Sequence, residues 1–314
     1  MLVGFLVLCA CWSTTWYAIR LCLTGYPPLL GAGLRFLLAT VLLGGISLLW
    51  RRACTFPRGS GRHGALALSG LANGLGYACV YLAERTISGG TAAVIAASSP
   101  FFTALVARLF GLEPLVARRL LGVLIGFAGV TLMMADGWEQ GTGHVGAMLL
   151  VVVASAVLWP LYGALLKRHA HTFNPLAGCT FFLGYTALTL LLLSLLGGER
   201  LPPLVQVPLV AHLGLFYLVI VGSVIAWTVY LWLLQRLDLT LLATMALIQP
   251  VLALGVDWLA RDTQLRPEGY LGALLVLAGV GLAALKLPRA HTGPQSALAS
   301  SVAAAGCSEE VART

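Results

Sequence analysis

The stretch AASSPFFTALVARLFG, residues 96–111, has the apolar content of a membrane-crossing helix and a proline inside it. Proline has no backbone N–H and its ring clashes with the preceding turn, so Pro100 breaks or kinks a helix. The arrangement occurs twice. MALIQPVLALGVDWLA, residues 245–260, sets Pro250 in a second apolar block. Displaced by 150 positions, residues 91–132 fall on 241–282 without a gap, with Ala93 on Ala243, Ala96 on Ala246, Pro100 on Pro250 and Leu115 on Leu265. LGVLIGFAGVTL (121–132) then meets LGALLVLAGVGL (271–282), and Gly122 and Gly129 meet Gly272 and Gly279. A displacement of 147 relates the earlier parts: Trp12 to Trp159, Arg20 to Lys167, Pro28 to Pro175. The chain is expected to hold two copies of one unit, 1–135 and 144–287, followed by a disordered cytoplasmic tail at 288–314.

Composition sets the class. Of 314 residues, 59% are hydrophobic and 10% charged, too little polar surface for a water-soluble globule. Mean hydropathy is +0.93. The apolar residues form ten blocks, at about 2–20, 28–50, 64–83, 89–110, 117–135, 144–166, 175–196, 208–233, 239–260 and 269–287. Each is about long enough to span a bilayer as a helix. The expected fold is an all-α polytopic membrane protein with ten transmembrane helices. Five helices per copy is an odd number, so the second copy enters the membrane from the opposite side. Inverted repeats of this kind build secondary transporters, with the site near the midplane at the repeat interface.

The net charge of +8 sits in the loops. With the N-terminus inside, thirteen Lys and Arg fall in inner loops and five in outer ones, and Arg35 lies within a span. This positive-inside bias places both termini in the cytoplasm. The start, MLVGFLVLCACWSTTWYAIR, lacks a charged n-region and reads as the first spanning helix. The seven cysteines include no CxxC pair and read as small packing residues. No nucleic-acid module is present; the expected partners are the lipid bilayer and a small-molecule substrate.

The stretch WSTTWYAIRLCLTGYPPLLGAGLRFLLAT (12–40) resembles the opening of EamA-type proteins of the drug/metabolite transporter superfamily. GGTAAVIAASSPFFTALVARLFGLEPL (89–115) and LLGVLIGFAGVTLM (120–133) are similar to the end of that domain. LLATMALIQPVLALGVDWLARD and GALLVLAGVGL repeat the likeness more weakly. The resemblance implies two EamA domains, location in the plasma or bacterial inner membrane, and export or exchange of small metabolites such as amino acids, with no cofactor. A multidrug or nucleotide-sugar carrier is the alternative. The family often has a Gly-Glu pair after the fourth helix; FGLEPL keeps Glu113 but shifts the glycine, and the second copy has ARDTQL with Asp262 nearby. These read as loop and cap positions.

Arg35 lies about seven residues into the second block, and a charge at that depth faces a cavity, a partner or the interface. It is either an anion-recognising guanidinium or a structural arginine bonded to a helix end. Asp257 is read as the one acidic residue within a span, either a coupling carboxylate or an interfacial partner of Arg261. Cavity candidates are the polar and aromatic residues of the spans. Trp12 and Thr15 lie in the first, with Trp16 beside them. Asn73, Tyr77 and Tyr81 lie in the third, Trp159 and Tyr162 in the sixth, and Ser223 and Trp227 in the eighth, with Tyr230 a turn on. Ser99, Pro100, Gln249 and Pro250 mark the two breaks, as substrate contacts or hinges. An enzyme is not expected: there is no HExxH, no pair of facing carboxylates and no histidine base at membrane depth. No motif for nucleotide binding supports ATP-driven pumping.

Overall fold

The computed structural model describes residues 1–49, 59–87, 89–133, 145–252 and 267–284. Regular structure among them is helical throughout. Among the described residues six helices are long and apolar enough to cross a membrane: Leu2–Leu23, Pro28–Leu49, Gly61–Ala83, Leu149–Thr172, Pro175–Leu196 and Leu209–Leu234. Helices satisfy every backbone group within one segment, which is the condition for crossing hydrocarbon. The protein is therefore a polytopic membrane protein. Residues Met1–Ala284 form one compact unit. The tail 288–314 and the segment holding Asp257, Arg261 and Asp262 lie outside the described residues.

The helices are α1 (Leu2–Leu23), α2 (Pro28–Leu49), α3 (Ser60–Ala83), α4 (Gly89–Ala96), α5 (Ser99–Leu109) and α6 (Ala117–Met133). Then follow α7 (Val145–Val153), α8 (Trp159–His169), α9 (Pro175–Leu196), α10 (Leu209–Val219), α11 (Ala226–Leu234), α12 (Leu239–Ala243), α13 (245–252) and α14 (Pro267–Ala284). Their ends carry local signals. Pro175 opens α9 in its first turn, where a missing N–H has no partner to lose, and the Asn174 side chain accepts from the Leu176 N–H at 2.9 Å. Gly111 after α5 and Gly198 after α9 have φ of +67° and +68°, conformations that only glycine adopts without strain.

The two prolines do not act alike. The fourth apolar block is fully broken: α4 stops at Ala96, and Pro100 stands in the first turn of α5, a position that suits it. The matching break in the ninth block falls at Thr244, between α12 and α13, six residues before Pro250, which sits inside α13. The expectation that both prolines mark equivalent breaks is corrected on this point. What the breaks share is a hydroxyl. Ser98 Oγ donates to the Ile95 carbonyl at 2.7 Å, and Thr244 Oγ1 donates to the Leu241 carbonyl at 2.6 Å. Each of these carbonyls also accepts the N–H of the same residue, at 3.1 and 3.2 Å, so both stay paired where the helix is interrupted.

Two further irregularities have no counterpart in the sequence pattern. Ala154–Leu158 joins α7 to α8, and Ile220–Ile225 joins α10 to α11, each as a π-helical turn. Such turns replace the regular i to i−4 ladder locally and often occur at functional sites. The corresponding parts of α1 and α3 are regular.

Small residues bring the helices together. In lipid there is no hydrophobic drive between helices, so close van der Waals approach has to hold them. Gly122 of α6 lies against Gly279 of α14, and Gly129 lies against Gly272, with no room for a side chain at Gly122, Gly129 or Gly279. Displacement by 150 turns the first contact into the second. Similarly, Gly33 of α2 meets Leu191 of α9, while Gly44 meets Thr180, and displacement by 147 exchanges these two. Gly70 and Gly74 of α3 lie against Tyr185 and Thr189 of α9.

Candidate functional site

Where helices from the two halves converge, residues at mid-length in α1 and near the breaks enclose a cavity. It contains about 790 Å³ of space unfilled by atoms, its mouth included. Its lining residues come largely in counterpart pairs. Trp12 and Trp159, and Thr15 and Tyr162, are related by 147 positions. Tyr77 and Trp227, Val80 and Tyr230, Ala96 and Ala246, and Ser99 and Gln249 are related by 150. Trp16, Ile19, Thr103, Leu239, Ala243 and Met245 complete the wall.

Seven of the lining side chains are aromatic and none is charged. The rings brace one another edge to face. Trp12 and Trp227 have centroids 5.1 Å apart at 64°, Trp227 and Tyr230 5.2 Å at 74°, and Tyr162 and Trp227 5.7 Å at 63°. Edge-to-face contact sets the positive edge of one ring on the negative face of the next and holds both rigid. Behind them Phe182 closes on Trp227 at 5.0 Å. Trp16 Nε1 donates to Gln249 Oε1 at 3.0 Å, joining α1 to α13 across the cavity.

Arg35 stands one layer behind this wall. It is fully buried, and its guanidinium is spent on protein groups. Nε donates to Ser223 Oγ at 2.8 Å, Nη2 to the Gly222 carbonyl at 2.8 Å, and Nη1 to Tyr81 Oη at 3.4 Å. Its carbon lies 4.8 Å from the Phe36 ring centroid and 5.1 Å from that of Tyr77. Gly222 and Ser223 belong to the π-helical turn of the eighth apolar block. The Gly222 carbonyl in this turn accepts from Arg35 and also from Trp12 Nε1, at 3.4 Å. The turn, the arginine and the wall tryptophan therefore form one unit. Neither Arg35, Tyr81 nor Ser223 lines the cavity.

The other candidates divide accordingly. Trp12, Thr15, Tyr77, Ser99, Trp159, Tyr162, Trp227 and Gln249 are brought together in the wall. Asn73 turns away, and its Nδ2 donates to Thr186 Oγ1 on α9 at 3.2 Å. Pro100 and Pro250 are buried beside the cavity but do not line it. Asp257 lies outside the described residues. Thr103, Ile19 and Met245 were not legible as lining; Thr103 follows Ser99 by one turn, which is the only signal that could have found it.

Polar ties close both ends of the bundle. At one end Glu199 accepts from the Leu29 and Leu30 N–H groups at 3.2 and 2.7 Å and from Ser194 Oγ at 3.0 Å, capping α2. Tyr26 Oη and His212 Nδ1 are 2.8 Å apart there. At the other end Glu113 caps α12 from 126 positions away, accepting from the Leu239 and Thr240 N–H groups and, at 2.7 Å, from Thr240 Oγ1. Arg119 pairs with Glu113 and Asp238. Lys167 Nζ donates to the Leu234 and Leu237 carbonyls at 2.6 Å each. The carboxylate sits at the positive end of a helix and the ammonium at a negative end, the favourable sense in both cases. Among the described residues no three His, Cys, Asp or Glu side chains are grouped so as to hold a metal ion.

A multi-span helical bundle around an uncharged, aromatic cavity lined from both halves of the chain suits a membrane transporter. The chain belongs to the EamA-like transporter family, whose profile matches residues 1–135 and again 146–285. It is 30% identical over 245 residues to the uncharacterized inner membrane transporter YedA of Escherichia coli K12, covering 77% of this chain and 76% of that one. It is 29% identical over 287 residues to an uncharacterized transporter of Archaeoglobus fulgidus, covering 88% and 94%. A protein of known crystal structure shares the fold, with a TM-score of 0.71 over 90% of this chain and 96% of its own, at 21% identity.

Proposed function

We propose that the protein is a ten-span carrier of two inverted five-helix repeats that exports small metabolites, most of all amino acids and related compounds, by alternating access. The pairing of cavity residues carries this reading: six lining positions from one half face their own counterparts from the other around a single space. A site shared in this way is exposed to one side or the other as the halves rock, without moving itself. The exchanged glycine contacts of α6 with α14 support the same two-fold relation. The positive-inside count puts the Glu113 end and both termini in the cytoplasm.

The lining offers rings, hydroxyls and one amide but no charge, which suits a neutral or zwitterionic amphipathic solute. A nucleotide-sugar or sugar-phosphate substrate would call for cations in the wall, and Arg35 is occupied elsewhere. Seven aromatic faces favour one second reading, a carrier of organic cations. Cells overexpressing the protein are expected to release amino acids above vector controls, measured by mass spectrometry of the medium. Trp227→Ala, which opens the centre of the wall, is expected to reduce that release at least tenfold at equal membrane abundance. A medium indistinguishable from the control would reject the export reading, and resistance to cationic dyes in the same cells would favour the second.

A further inference from the structure

Helix α3 leaves the cavity at Glu84. Tyr77 and Val80 line the cavity, and Glu84 follows Val80 by one turn on the same helix face. The residue is 6% exposed, and among the described residues neither carboxyl oxygen has a hydrogen-bond partner. Glu113 is as deeply buried, at 8%, yet receives two N–H groups, a hydroxyl and Arg119. The contrast separates a structural carboxylate from one left unpaired. A buried ionised carboxylate without donors is strongly disfavoured, so the group takes the neutral form instead.

The surroundings are apolar. Ala83, Ile87, Ala92, Ile95, Ala96 and Val151 form a cluster at this end of α3, and Trp16 and Trp159 of the cavity wall pack against it. Two cations act on Glu84 from neighbouring helices: Arg20 on α1, which is exposed, and Arg35 on α2, which is committed to Ser223, Gly222 and Tyr81. Its own helix contributes Tyr77 and Tyr81, and the exposed Arg85 follows it in the chain. On α9, Tyr185 packs at the level of Gly70, well before Glu84, and Cys179 lies further away; α8 contributes Tyr162, with Lys167, Arg168 and His169 at the far end. Helices α4 and α7 and the π-helical turn after α7 contain no ionisable residue. Glu84 follows the last residue of the span Gly61–Ala83, and burial pushes its carboxyl well above the usual carboxylate range, with Arg20 and Arg35 acting in the opposite sense.

We propose that Glu84 is the proton-coupling group of this carrier, protonated while this end of α3 is packed and ionised when the end opens to water. The inference rests on the transporter reading. The chemistry is that of linkage: a group whose proton affinity differs between two conformations ties the conformational equilibrium to pH. Arg20, already at the surface, is placed to stabilise the ionised form.

The test uses the full chain in lipid vesicles with the proton as the probe. Infrared difference spectra against pH are expected to show a protonated carboxyl at neutral pH that disappears in Glu84→Gln and persists in Glu113→Gln. A carboxyl band unaltered by Glu84→Gln would overturn the proposal. Arg20→Gln leaves the carboxyl in place and is expected to move its titration to higher pH. Should Glu84→Gln fail to fold, that shift supports the assignment and an unmoved titration rejects it. In vesicles loaded with mixed amino acids, the ratio of pH-driven to exchange flux is expected to fall at least tenfold in Glu84→Gln, and an unchanged ratio counts against coupling. If the wild type moves no amino acid in either mode, the function proposed above is rejected, while the infrared band still decides Glu84.

Discussion

Arg35 illustrates how much a residue's neighbours decide. In the sequence it is a charge within a span, open to two readings. In the structure its three hydrogen bonds run to Ser223, Gly222 and Tyr81, and two rings lie within about 5 Å of its carbon. It supports the wall by holding the π-helical turn against α2 and α3. Removing one partner of a buried hydrogen bond leaves the other unpaired, at a cost of about 1–3 kcal/mol for each. Arg35→Ala is therefore expected to lower the melting temperature in detergent as well as to abolish transport. Loss of transport with unchanged melting would instead place Arg35 in direct contact with substrate. Glu84 shows the reverse case. It falls between the apolar blocks 64–83 and 89–110, and Asp257 is the acidic residue considered for coupling; burial without donors among the described residues sets Glu84 apart.

At the scale of elements, helix identity follows from apolar blocks and is readable, whereas helix regularity is not. The proline in SSPFF lies in the first turn after a break, where its missing N–H costs nothing, whereas Pro250 lacks the same N–H inside α13. The break at Thr244 and the two π-helical turns depend on what packs alongside, and no residue type announces them. Glycines are intermediate. Displacement by 150 matches Gly122 to Gly272 and Gly129 to Gly279, and the fold reveals that Gly122 faces Gly279 and Gly129 faces Gly272. A methyl group at Gly122 or Gly279 would meet the backbone of the facing helix. Gly122→Ala and Gly279→Ala are each expected to cost about 1–3 kcal/mol, as overpacking does. A thermal-shift series checks this, and because the two share one contact, the double variant should cost less than the sum.

For the whole molecule, orientation rests on thirteen positive charges against five. In a cysteine-free background, Arg58→Cys is expected to be protected from a membrane-impermeant maleimide in intact cells and labelled in inverted vesicles. Arg200→Cys should behave in the opposite way, and labelling of both from outside would overturn the topology. On that expected orientation the Glu113 network would face the cytoplasm and the Glu199 network the outside.

The sequence alone determined the class, the membrane location and most of the aromatic wall, and it carries like residues recurring at a constant displacement. Those follow from hydropathy and from like residues recurring at a constant displacement, both properties of the chain in one dimension. Only the tertiary structure decided which candidates meet. It put Trp12, Tyr77, Trp159 and Trp227 around one space, withdrew Arg35 and Asn73 from it, and left Glu84 buried without a donor. The physical reason is that helix rotation and contact register are settled by close packing between segments far apart in the chain, through small residues whose partners no local pattern names.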